Sequence, residues 1–335
     1  MTVTIKDFPP SAREDAPLFI DAAAVRRYTP MTPLVEALHN AFVDDLRSPE
    51  RQGYELPDNA TLLLMPAWRR GAHCGVKIIT VQPDTRPTIQ STYFFMEART
   101  GRLKAVMDGT MLTPRRTAAA SALVCRHLAR ADASTLLMIG TGALAPHLIE
   151  AHVAVRPIRR VMIWGRDPIK ARRIAHDLQG SDIAIEVVTD LNLAVPQADI
   201  ISAATSSRRP LIRGALLKPG THVDLVGAFR PDMAEADSVA IGRSRIFVDG
   251  YDAAKEEAGD LLQAIAAGQI GWDDICGDLH ALCSGRVEGR TSDNEITLFK
   301  SVGVAMEDLV AAELIFESCA AEGFAHCSGF SLAMS

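Results

Sequence analysis

Leu136-Leu137-Met138-Ile139-Gly140-Thr141-Gly142-Ala143-Leu144-Ala145 is the stretch that decides the architecture of this chain. Four apolar residues in succession read as a buried strand, and a Gly-x-Gly-x-x-Ala turn follows at once, ahead of a helical stretch. In a dinucleotide-binding turn Gly140 permits the tight bend and Gly142 lets the backbone approach a pyrophosphate. Ala145 is small enough for helix to pack on strand, and the helix N-terminus faces the negative charge. Thr141, Ala143 and Leu144 complete the loop through their backbone N–H groups, so their side chains are less constrained. Without this context the same residues would form an ordinary strand-to-helix turn.

Working outward, the rhythm after this loop is strand, helix, strand, helix. Strands are expected at Arg160 to Trp164, Ile185 to Val188, Ile200 to Ala203, His222 to Val226 and Arg245 to Val248, an alternation that predicts a parallel, doubly wound sheet. Upstream, Thr113-Pro114 supplies a cap and a first-turn proline for an Ala-rich helix running to about Ala129. Thr32-Pro33 does the same for a helix carrying Leu34, Val35, Leu38 and Phe42 at helical spacing. Between them lie short β-rich runs (Leu62 to Met65, Val76 to Val81, Thr92 to Met96, Leu103 to Met107), the last two joined by a hairpin turn at Ala98-Arg99-Thr100-Gly101. Phe299 to Ala320 reads as one long amphipathic helix with no strand after it, returning to pack on the first half. The fold class is therefore α/β: a Rossmann-type doubly wound parallel sheet over residues 124–301, plus a discontinuous α+β domain from residues 1–123 and 302–335.

Composition narrows the function. A chain of 335 residues with 48% hydrophobic and 23% charged residues is an ordinary globular one of about two domains. Its net charge of −6 gives no electrostatic support for nucleic acid. The polar start, Met1 to Pro17, and the lack of any apolar run of about 18 residues give no signal for export or membrane insertion, so the cytoplasm is the expected compartment. The six cysteines (Cys74, Cys125, Cys276, Cys283, Cys319, Cys327) form no CxxC pair, and the nine histidines no HExxH, so no metal is expected and the thiols are read as reduced and mostly buried.

About twenty residues past the glycine loop, where an acidic residue would bond the ribose 2′-hydroxyl of NAD, stands Trp164-Gly165-Arg166-Asp167. Arg166 suits a 2′-phosphate, which favours NADP(H) over NAD(H), with NAD(H) still possible. Asp167 ahead of Pro168 is placed to cap a helix.

Val106-Met107-Asp108-Gly109, Arg116-Thr117-Ala118-Ala119, the glycine loop and Phe299-Lys300-Ser301-Val302-Gly303 occur in this order and at characteristic separations. In this combination the chain resembles the ornithine cyclodeaminase/mu-crystallin family, from about Thr32 to Ala320. The resemblance implies a homodimer whose substrate and dimerisation domain is built from both chain ends. It places Arg51, Lys77 and Arg116 on a substrate carboxylate, with Lys77 as the catalytic proton donor. It assigns Thr92, Arg116, Thr205, Val226, Gly227, Ala228, Lys300 and Ser301 to the cofactor alongside the 140–145 loop and Arg166.

The informative departure is Gly227-Ala228-Phe229-Arg230-Pro231-Asp232. Cyclodeaminases of the family carry a catalytic aspartate where this chain has Phe229, and a phenyl ring moves no proton. The pattern is similar to the branch of 1-pyrroline-2-carboxylate (ketimine) reductases. The resemblance thus implies NAD(P)H-dependent reduction of a cyclic α-imino acid, 1-pyrroline-2-carboxylate to L-proline or 1-piperideine-2-carboxylate to L-pipecolate. The other readings are an ornithine cyclodeaminase, an imine reductase of the alanine dehydrogenase kind, and a mu-crystallin-like ligand-binding protein. Leu144, where the family often has glutamine, leaves a loop that acts through backbone N–H groups unaffected.

Overall fold

The computed structural model of the chain describes residues 2–3, 17–44, 46, 48–178, 180, 182–323 and 332–333. Cys327 and most of the N-terminal segment, on which expectations were stated above, lie outside the described residues. The chain divides into two compact units, Met1–Arg116 with Val304–Ser335, and Thr117–Gly303. The first boundary thus falls at 116/117, inside a single helix, rather than at 123/124.

The first unit is a six-stranded sheet. Its strands are β1 (Leu18–Ile20), β2 (Gln52–Glu55), β3 (Thr61–Trp68), β4 (His73–Val81), β5 (Ile89–Glu97) and β6 (Leu103–Asp108), in the order β1-β6-β5-β4-β3-β2. All neighbours are antiparallel except β1 and β6. Alternation along the strands puts Met65, Ala67, Gly75, Lys77, Tyr93, Phe95, Ala105 and Met107 on one buried face. Helices α1 (Ala22–Arg27) and α2 (Met31–Val43) precede β2, and α2 buries Leu34, Val35, Leu38, Ala41 and Phe42 at helical spacing. It begins two residues ahead of the expected proline: Pro30 is the N-cap and Thr32 is already helical, because a proline anywhere in the first turn costs no hydrogen bond.

Helix α3 (Gly109–Leu128) differs in the same direction. Its start is fixed by Asp108, whose Oδ1 accepts from the Met111 amide at 2.6 Å. Pro114 lies inside the helix, and the Thr113 hydroxyl donates back to the Gly109 carbonyl at 2.8 Å. The cap is therefore Asp108 and not Thr113.

The second unit is an all-parallel eight-stranded sheet made of β7 (Thr135–Ile139), β8 (Arg160–Trp164), β9 (Ala184–Val187), β10 (Ile200–Ala203), β11 (His222–Leu225), β12 (Ser244–Val248), β13 (Ile275–Asp278) and β14 (Ile296–Lys300). The order is β9-β8-β7-β10-β11-β14-β12-β13. The chain leaves β7 toward β8 and β9, then returns to β10 on the other side, so the winding reverses between β7 and β10. In open α/β sheets ligands bind at the C-terminal ends of the strands at such a reversal. Helices α4 (Ala145–Val155) and α5 (Pro168–Asp177) follow β7 and β8.

Strands β1, β2, β13 and β14 were not anticipated. Strand β14 sits between β11 and β12 with all five residues buried, and Phe299 and Lys300 are therefore strand residues. The last long helix starts only at Ala305, as α11 (Ala305–Ala321). A strand covered on both faces shows no alternation and reads like the start of a buried helix. Helix α11 does pack on the first unit, against α2, β3 and β4, and Phe316 stands 5.2 Å from the Phe95 ring centroid. A two-residue strand, Leu332–Ala333, follows it and pairs with Thr2–Val3. Among the described residues no helix is long and apolar enough to cross a membrane.

Candidate active site

Lys77 occupies the buried face of β4, opposite Met65 on one side and Tyr93 on the other, and its side chain is wholly inaccessible. A charge so placed requires a counter-ion. Asp308, in the first turn of α11, provides it: Nζ donates to Oδ1 at 2.8 Å and lies 2.8 Å from Oδ2. Arg116, on α3, reaches the same carboxylate, Nε to Oδ1 at 3.1 Å, and pairs through Nη1 with Glu307. Burial pulls Lys77 down from the usual lysine range to about 8; Arg116 and, more weakly, Arg51 push the same way, and Asp308 opposes them. The structure thus brings Lys77 and Arg116 onto one carboxylate, with Arg51 acting on the lysine only through its charge.

Around them stand two carboxylates and one phenol that sequence reasoning missed. Tyr93 faces the same cluster with its hydroxyl buried and, among the described residues, without a hydrogen-bond partner, and burial and Asp308 raise its pKa well above the normal value. Glu307 and Asp308 did leave a signal: two adjacent acids between Met306 and Leu309, in a helix otherwise composed as a core element. Thr92 does not join the group, because it neighbours Tyr93 along β5 and so takes the opposite face of the sheet. Arg115, next to Arg116, is a structural residue whose guanidinium is bound to the Thr29 hydroxyl and carbonyl.

In the second unit the loop after β7 has the form its sequence demands. Gly140 adopts φ 121°, and a Cβ there would lie 2.5 Å from the Ala204 carbonyl oxygen, on the loop that follows β10. At Gly142 a Cβ would meet nothing within 4 Å. Nothing in the protein's own packing requires that glycine, which suits a residue kept small for an incoming group. The amides of Gly142, Ala143 and Leu144 find no acceptor among the described residues. Together with the N-terminus of α4 they form a donor set that fits a pyrophosphate. Gly165 is needed for another reason, since its Cβ would lie 2.5 Å from Thr141 Cγ2.

After β8, Asp167 caps α5 by accepting from the Ile169 amide at 2.9 Å, so its carboxylate is engaged. Arg166 is exposed and makes no ion pair among the described residues. Thr205 and the Val226 to Ala228 turn are held together by Glu235, which accepts from the amides of Thr205 (2.6 Å), Gly227 (2.7 Å) and Ala228 (3.3 Å). Burial raises Glu235 to about 8 against the pull of Lys300. Asp260 in turn accepts from the amides of Glu235 and Ala236 at 2.6 and 3.0 Å.

This network also engages two side chains that the sequence reading places at the cofactor. The Lys300 ammonium is fully buried 3.2 Å from Asp260, and the Ser301 hydroxyl donates to Asp249 at 3.0 Å, beside the amides of Val302 and Gly303 on the same oxygen. Both side chains brace the loops from within. Glu235, Asp249 and Asp260 were not legible as partners, because each is separated in sequence from what it holds. Phe229 is 42% exposed at the end of its turn. Asp224 is consumed internally by the hydroxyls of Ser202 (2.6 Å) and Ser121 (3.0 Å) and by His152 Nε2 at 3.3 Å.

Comparison with known proteins gives a consistent result. A profile of the ornithine cyclodeaminase/mu-crystallin family matches residues 17–323. Protein SAR DEFICIENT 4 of Arabidopsis thaliana is 44% identical over 285 residues, 82% of this chain and 87% of its own. The Delta(1)-pyrroline-2-carboxylate reductase of Paracoccus denitrificans is 39% identical over 281 residues, 79% and 89% of the two chains. Among solved structures, the Delta(1)-pyrroline-2-carboxylate reductase of Thermococcus litoralis in complex with NADH and L-proline superposes with a TM-score of 0.88 at 28% identity, covering 93% of this chain and 99% of its own.

Proposed function

The chain belongs to the ornithine cyclodeaminase/mu-crystallin family, and from that premise we propose the reaction it catalyses. It is an oxidoreductase that reduces the C=N bond of cyclic α-imino acids with a nicotinamide cofactor, 1-pyrroline-2-carboxylate giving L-proline. The observation that carries the reading is the buried cluster of Lys77 and Arg116 on Asp308, which sets a proton donor beside a guanidinium suited to a carboxylate. The dinucleotide, when bound at the 140–145 loop, supplies the hydride. Arg116 and Arg51 hold the substrate carboxylate. Lys77, with its proton affinity lowered to about 8, gives the imine nitrogen its proton, and donors titrating near the working pH are the most effective ones. Deaminating cyclisation of ornithine is not proposed, since Phe229 has no proton to transfer. Chiral chromatography of the product tests the assignment: L-proline formed from 1-pyrroline-2-carboxylate supports it, and racemic proline or none contradicts it.

The preferred cofactor is NADPH, on the strength of Arg166, which is exposed and makes no ion pair among the described residues, while the adjacent Asp167 is spent as a cap. Replacing Arg166 by alanine is expected to weaken NADPH binding about tenfold or more, as the loss of a charge-assisted contact of roughly 1.5–3 kcal/mol implies, and to leave NADH unchanged. Titration of nicotinamide fluorescence reads both, and equal losses would remove the 2′-phosphate assignment.

The working unit is a homodimer joined through the first unit. The sheet face opposite Lys77 carries Pro66, Val76, Phe94 and Val106 side by side across four strands, all half-buried, an apolar surface of the kind that marks protein interfaces. Val76→Asp is expected to shift the mass measured by light scattering to that of a monomer; an unchanged dimer would exclude this face. The cytoplasm fits the cysteine chemistry, since Cys74, Cys125, Cys276, Cys283 and Cys319 are free thiols and Cys125, Cys283 and Cys319 are buried.

A further inference from the structure

We propose that Asp308 is a positioning residue for imine reduction: it fixes Lys77 and Arg116 at a set spacing and keeps the lysine charged so that it can give up a proton. The inference rests on the reading of Lys77 as proton donor.

Asp308 sits in the first turn of α11, the helix end that favours negative charge, and the helix is anchored in the core by Leu309, Val310 and Ile315. Its carboxylate is fully inaccessible. Oδ1 alone accepts from both Lys77 Nζ at 2.8 Å and Arg116 Nε at 3.1 Å. The two donors come from β4 and α3, so this one atom ties a sheet residue and a helix residue to a third element. Among the described residues Lys77 has no other ion-pair partner.

The charged and polar groups about Lys77 are Asp308 and Glu307 from α11, Arg116 from α3, Tyr93 from the neighbouring strand and Arg51 from the segment ahead of β2. Burial and the two arginines favour the neutral amine, and Asp308 opposes them. Without its charge the lysine would titrate lower still. A buried acid that only stabilised the fold would affect melting temperature but would leave the pH dependence of turnover as it was.

The test compares D308N and D308E with the wild-type enzyme in steady-state reduction of 1-pyrroline-2-carboxylate across pH 5.5–10, with NADPH affinity measured separately by fluorescence. In D308N the alkaline limb of kcat/KM is expected to move down by at least one pH unit, with kcat lowered tenfold or more and NADPH affinity held within twofold. In D308E the charge is retained, so the limb is expected to stay near its wild-type position, while the longer side chain disturbs the spacing and kcat still falls severalfold. A D308N limb identical to that of the wild type, in an enzyme that turns over, overturns the proposal and leaves the reductase reading intact. If D308N does not fold, D308E decides: wild-type kcat in that variant overturns the proposal. A wild-type protein that binds NADPH and reduces no imino acid would instead sink the underlying reading.

Discussion

Replacing Lys77 by methionine is expected to lower kcat/KM for imine reduction by about a hundred- to ten-thousand-fold, the range that a general acid contributes, and to leave NADPH affinity within twofold. Methionine fills nearly the same space on the buried face of β4, so packing is largely kept. Asp308 retains Arg116 as a partner at 3.1 Å, which limits the cost of leaving a buried carboxylate without its lysine; a thermal melt run alongside separates lost chemistry from lost fold. The wild-type profile has a sign fixed by the same residue. A donor must be protonated, and burial pulls Lys77 down to about 8, so activity is expected to be full below that pH and to fall as the pH rises through it. Removal of Lys77 without loss of activity, or a rate that increases through pH 8, would refute its role.

The second large effect contrasts two glycines of one loop. Gly140→Ala places a Cβ 2.5 Å from the Ala204 carbonyl oxygen at a φ of 121°, and both the contact and the backbone conformation oppose it. Strain of about 1–3 kcal/mol and overpacking of similar size predict a clear drop in melting temperature together with a loss of cofactor binding of a hundredfold or more. Gly142→Ala meets no protein atom within 4 Å, so the melting temperature of the unliganded protein stays the same. Its methyl group does intrude where the pyrophosphate approaches the backbone, and NADPH affinity is expected to fall about tenfold or more, a cost of roughly 1.4 kcal/mol per tenfold. Equal destabilisation by both substitutions, or unaltered binding in Gly142→Ala, would show that the loop does not cradle phosphate.

The contrast between those glycines also shows what was legible before the structure. Local signals held where one residue's chemistry set its own surroundings. The 140–145 turn, the strand that precedes it, the Asp167 cap and the hairpin at Ala98 to Gly101 each follow from neighbours in sequence. Periodicity failed where burial is complete, and β14 was absorbed into the following helix because Ile296–Lys300 faces protein on both sides. Helix starts were misplaced because a proline does not mark the first residue: Pro33 is the third residue of α2, and Pro114 lies inside α3, six residues beyond the capping Asp108.

The site was legible as a set of cations and silent about what restrains them. Arg51, Lys77 and Arg116 were recognised through a family pattern. Asp308 lies 231 residues beyond Lys77, and no local rule links the two. Lys300 and Ser301 were assigned to the cofactor through the same family resemblance. Their partners, Asp260 and Asp249, turn both side chains into internal supports. In each case the missing knowledge was a long-range pairing of buried charge, which the chain can satisfy only once it is folded.

The most direct test of the central claim follows nicotinamide absorbance in the full-length protein with NADPH, then NADH, and 1-pyrroline-2-carboxylate, with L-ornithine and NAD+ in parallel for released ammonia. Saturable oxidation of the reduced cofactor, faster with NADPH, dependent on the imino acid and matched by L-proline, is the predicted result. Ammonia from ornithine with no oxidation in the presence of the imine would contradict it and return the chain to the cyclodeaminase reading.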